Sequence, residues 1–119
     1  MKSLRVHDFL VRRALVTRES AHDLERHVLE MLDPSDESLA LDFANIDAMT
    51  PSFLDEALFV IAEAVSRKAS HVSELMFLNP PTSPTAAVRA IARAHGILLE
   101  ESPTGDWIMT GALAESSAL

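Results

Sequence analysis

Leu39-Ala40-Leu41-Asp42-Phe43, followed by Asn45, Asp47 and then Met49-Thr50-Pro51-Ser52-Phe53-Leu54-Asp55-Glu56, is the stretch whose reading decides the fold. Leu39 to Phe43 is short and mostly apolar and follows the charged turn Asp33-Pro34-Ser35-Asp36-Glu37, the pattern of an interior strand covered on both faces. Beyond Met49, apolar residues recur at Leu54, Leu58, Ile61 and Val65, one stripe of a 3.6-residue helix. The helix therefore starts near Ser52. Two starts are physically sound: Thr50 as N-cap with Pro51 at the first helical position, or Ser52 as N-cap with Asp55 reaching back as a capping box. In either, free backbone N–H groups face a polar corner of hydroxyls, with Asp55 and Glu56 expected in the first turn, where the helix dipole favours carboxylates.

Working outward, Leu4 to Val11 alternates weakly and Ala14-Leu15-Val16 follows Arg12-Arg13, which predicts two short strands joined by a turn. Thr17 reads as an N-cap and Arg18 to Leu32 as a helix burying Ala21, Leu24, Val28 and Leu32, stopped by Asp33-Pro34. On the other side, Leu75-Met76-Phe77-Leu78 reads as a strand closed by Asn79-Pro80-Pro81. Ser83 with Pro84 then opens a helix through Val88 and Ile91 to Gly96 at C′, its Ala87, Ala90 and Ala94 suited to close approach to a sheet. A final hairpin is expected from Ile97 to Glu100 and Trp107 to Met109 across Ser102-Pro103-Thr104-Gly105-Asp106. Strands alternating with helices predict a layered α/β fold with right-handed crossovers between parallel strands.

The string Leu41-Asp42-Phe43 … Met49-Thr50-Pro51-Ser52-Phe53-Leu54-Asp55-Glu56 resembles the core motif of the STAS-like domains of unknown function, relatives of the sulfate-transporter and anti-sigma-factor-antagonist domains. Leu15-Val16-Thr17-Arg18-Glu19-Ser20-Ala21 is similar to a second motif of that family, and the resemblance spans roughly Leu4 to Leu99. It implies a single STAS-like domain, set at residues 1–110, with a mixed four- to five-stranded sheet and about three helices; Gly111 to Leu119, small and featureless, reads as a flexible tail. It also implies a regulatory module rather than a catalyst.

At 119 residues the chain has room for one domain and one core. Its net charge of −8 argues against a nucleic-acid binder, and Arg5, Arg12, Arg13 and Arg18 read as a solvated face; basic partner surfaces are favoured. Without cysteine there is no disulfide, thiolate metal site or Cys nucleophile. No apolar run matches a signal peptide or a membrane span, so a cytoplasmic protein that does not enter a membrane is expected. The five histidines are scattered, three glycines make no phosphate loop, and neither metal, cofactor nor catalysis is expected.

In the antagonist relatives, a serine in an Asp-Ser-Ser-Gly corner before the second helix is phosphorylated by a partner kinase. Aligned through Asp42, Thr50 stands where those have Asp, Pro51 at the phosphoacceptor, Ser52 on the second serine and Phe53 on the Gly. Proline accepts no phosphate, so Ser52, with Thr50 behind it, is the candidate phosphoacceptor; both residue types also serve as caps. Phe53, Phe59 and Val60 widen the apolar face of this helix, which points either to a docking face or to a helix sandwiched between neighbours. The leading expectation is docking of a signalling protein, an ATP-binding kinase or anti-sigma type by the resemblance, through Thr50 to Phe59, with self-association left open. The alternative is a small-ligand or nucleotide sensor whose pocket holds Arg18, Ser52 and Asp55, with Glu56 in the same cluster.

Overall fold

The computed structural model describes residues 2–8, 14–15, 18–68 and 72–111. Its elements in chain order are β1 (Lys2–Arg5), a 3-10 turn (Val6–Asp8), β2 (Ala14–Leu15), α1 (Arg18–Met31), β3 (Ser38–Asp42), β4 (Ala48–Met49), α2 (Pro51–Arg67), β5 (Glu74–Leu78), α3 (Ala86–Ala94), β6 (Ile97–Glu101) and β7 (Trp107–Gly111). Five strands form one mixed sheet in the order β1-β3-β5-β7-β6; β2 and β4 make a separate parallel pair. The fold is α/β with three helices, as the sequence predicts.

Strand periodicity explains the core. Leu4, Leu41, Phe77 and Trp107 lie side by side across β1, β3, β5 and β7, and Leu39, Leu75, Met109 and Leu99 form the next row; all eight are buried. The Phe43 and Phe77 ring centres are 4.6 Å apart and those of Phe77 and Trp107 5.6 Å, so aromatic contact runs across the middle of the sheet. Against this face α2 packs between α1 and α3. Ala40 is also fully buried although it points the other way, between Ser3 of β1 and Met76 of β5.

Both predicted stripes are buried: Ala21, Leu24, Val28 and Leu32 from α1, and Leu54, Leu58, Ile61 and Val65 from α2. A second line on α2, Phe53, Ala57, Val60 and Ala64, is buried as well. α2 is therefore sandwiched, and its broad apolar circumference is core except at Phe59.

Four expectations need correction or lie out of reach. β1 and β2 do not pair with each other; each runs parallel to a later strand, β3 and β4 respectively, because Leu4 must stand beside Leu41 to reach the core. α3 is capped by Thr85, not Ser83: Thr85 Oγ1 accepts from Val88 N–H at 3.2 Å, and a β-branched residue serves better as a cap than inside the first turn. Ala87, Ala90 and Ala94 face solvent, since Val88 and Ala92 take the sheet side of α3. The turn over 9–13, the Thr17 cap and 112–119 lie outside the described residues, while Gly111, expected in the tail, ends β7. The final hairpin and Gly96, with φ 72° after the C-cap His95, are as expected.

Candidate functional site

The corner is built where two helices begin side by side. β2 and β4 pair in parallel just before α1 and α2, which brings both helix N-termini to one end of the molecule. At α2 the first of the two starts is the real one. Thr50 is extended (φ −84°, ψ 157°), its Oγ1 accepts from Phe53 N–H at 3.3 Å, and its carbonyl accepts from Leu54 N–H at 3.1 Å. Pro51 occupies the first helical position, where its missing N–H costs nothing. Ser52 is then the second helical residue and is exposed.

This start moves Asp55 and Glu56 out of the first turn and into the second, beyond the strongest part of the dipole. Their role is lateral. Adjacent helical residues diverge by roughly 100°, so the two carboxylates leave α2 toward different neighbours. Asp55 Oδ1 hydrogen-bonds His95 Nε2 at 2.8 Å, at the end of α3. Glu56 Oε2 lies 3.0 Å from His22 Nε2 on α1, and the other ring nitrogen of His22 is 3.9 Å from Glu25 Oε1. One helix thus touches both its neighbours through a carboxylate–histidine pair.

Sequence reasoning missed both histidines. The only available signal was that His22 lies near the start of one helix and His95 just beyond the end of another, which without the topology placed neither beside α2. Asp42 was also unread: Oδ1 accepts from Ala44 N–H and Asn79 Nδ2, each at 2.9 Å, while Asn79 N–H donates to Asp106 Oδ1 at 3.0 Å. That chain ties the ends of β3 and β5 to the residue before β7. It is a structural link, and Asn45 and Asn79, with φ 70° and 52°, make the left-handed turns it needs.

Of the candidate residues, Ser52 and Phe59 share one outward line, because seven residues are nearly two full turns. Phe59 is 50% exposed. Phe53 is fully buried and belongs to the core, so it lines no docking face. Arg18, expected in a pocket with Ser52 and Asp55, opens α1, and its side chain lies outside the described residues. A cleft of about 470 Å³ lies beside the edge strand β1, lined by Ser3, Leu4, Arg5, His27, Glu30, Met31 and Asp42. Neither Ser52 nor Asp55 lines it. Among the described residues no group of three His, Asp or Glu is placed to hold a metal, and no helix is long and apolar enough to cross a membrane.

Residues 20–74 match the family model described as a STAS-like domain of unknown function (DUF4325). The match runs from the first turns of α1 through β3, the corner and α2 to the first residue of β5, and so includes the motif from Leu41 to Glu56. No curated protein and no solved structure matches the chain.

Proposed function

We propose that this STAS-like domain is a non-catalytic regulatory module that docks a cytoplasmic signalling protein through the corner and outward ridge of α2. The observation that carries this reading is the exposed ring of Phe59 in line with exposed Ser52 on a helix otherwise buried on both flanks. A half-exposed phenylalanine in the middle of a packed three-helix layer is the kind of aromatic anchor that interfaces use. Carboxylates stand around it, at Asp55, Glu56 and Glu63, so a partner with basic residues about an apolar pocket fits best. The family resemblance favours a kinase-type or anti-sigma-type regulator as that partner.

Ser52 is the preferred phosphoacceptor over Thr50. The Thr50 hydroxyl is engaged as a cap, whereas Ser52 is exposed two residues on. Phosphate there would add about two negative charges beside a positive helix end and in the middle of the docking ridge.

The test is capture of partners by the intact chain and by Phe59→Glu. Loss of capture with an unchanged melting temperature supports the ridge; full capture by the variant removes it. Among the described residues no specific observation favours the small-ligand alternative.

A further inference from the structure

β6 is the last strand of the sheet and, among the described residues, pairs only with β7. Antiparallel ladders bond at alternate residue pairs. At the hairpin mouth Ser102 N–H donates to the Asp106 carbonyl at 2.8 Å, so the bonds fall at residues 102, 100 and 98. The backbone groups of Ile97, Leu99 and Glu101 therefore turn to the open edge. Such an edge is a template for another strand.

The side chains around this edge select the strand. Ile97, Leu99 and Glu101 share the helix-covered face, with the first two buried and Glu101 exposed, while Leu98, 63% exposed, and Glu100 share the other. α3 leads into β6 through His95 and Gly96, so the two run in opposite directions. Arg89 of α3 reaches this strand: its Nη1 donates to the Leu99 carbonyl at 3.3 Å. Four helical residues advance roughly 6 Å and two strand residues roughly 7 Å. Exposed Arg93, one turn after Arg89, therefore stands over Ile97.

We propose that β6 is a self-pairing edge, at which a second copy of this chain adds antiparallel about a two-fold axis through Leu99. In that register Leu99 meets Leu99 of the second copy, Leu98 meets its Glu100, and Ile97 meets its Glu101. No glutamate faces a glutamate. A shift that centres Glu101 sets like charges together, and a one-residue slip misaligns the outward backbone groups. The same register delivers Glu101 of the second copy to the position over which Arg93 stands, and the symmetry makes this charge pair twice. Arg89 does not obstruct the join, because the Leu99 carbonyl has a second lone pair for the incoming Leu99 N–H.

The test is the mass of the full chain in solution across a wide range of concentration, for the wild type, Arg93→Glu, Glu101→Arg and the double exchange. The wild type should pass from monomer to dimer. Each single exchange should weaken the dimer by about tenfold or more, from two lost pairs that become like-charge contacts, and the double exchange should restore it. Both side chains are exposed, so the variants keep the core. Independently of any variant, amide exchange at Ile97, Leu99 and Glu101 of the wild type should slow as concentration rises. A chain that stays monomeric throughout, a monomer whose edge takes up only foreign extended peptides, a dimer indifferent to both single exchanges, or concentration-independent exchange at those three amides would each overturn the proposal.

Discussion

α2 and α3 begin in the same way and are stabilised in different ways. Each starts at a threonine whose hydroxyl accepts from the backbone N–H three residues on, Phe53 in one and Val88 in the other. After that they diverge. α2 runs 17 residues and buries eight of them, so burial on two adjoining stripes dominates its stability. α3 runs 9 residues and buries only Val88 and Ala92, so its cap, its glycine stop and its contacts at the rim weigh more. A helix held by its core can spare one exposed aromatic for other uses, whereas a helix held by its ends has a surface that substitution barely touches.

That contrast breaks most visibly in the core of α2. Ile61→Ala should cost about 2–5 kcal/mol, by lost burial and the cavity left behind, read from the denaturant midpoint. A cost under about 0.5 kcal/mol, the ordinary scale of a surface change, would mean that α2 is not packed into the core. Next come the caps: Thr85→Ala should cost about 1 kcal/mol and Thr50→Ala about the same. Ser83→Ala should cost less than about 0.5 kcal/mol, and the reverse ranking of Thr85 and Ser83 would move the start of α3.

The two lateral histidine pairs sharpen the comparison at a smaller scale. The Asp55 side chain is 46% exposed and that of His95 22%, so solvent screens the pair. A double-mutant cycle of Asp55→Asn with His95→Gln should give a coupling below about 1 kcal/mol. The smallest effect is expected on the outward side of α3, where Ala90→Leu should change stability by less than about 0.5 kcal/mol. A larger loss would show that this side of α3 is covered.

These differences also mark what could be read without coordinates. The β3–corner–α2 stretch was legible because local signals agree there: an apolar run, a proline after a threonine, and a 3.6-residue stripe whose four residues are buried. The choice between Thr50 and Ser52 was not, since both satisfy a capping rule and only packing selects the start that buries Phe53. Alanine misled in α3, because a methyl group suits a close sheet contact and a solvent face equally well. His22 and His95 were illegible for a different reason: they meet consecutive residues of α2 from opposite sides, and only the three-dimensional order of the helices brings them there. Ser52 and Phe59 were legible as residues of interest, while Phe53 shared their chemistry and not their exposure.

The order β1-β3-β5-β7-β6 has a consequence for how the chain is made. As the polypeptide emerges from the ribosome, β1, β3 and β5 can assemble in sequence, because α1 emerges before β3 and α2 before β5. β6 cannot, because its neighbour β7 has not yet been synthesised. Until Trp107 to Gly111 slots in against β5, the nascent domain is a three-stranded half with an apolar margin at Leu75 and Phe77, the form in which a chaperone would meet it.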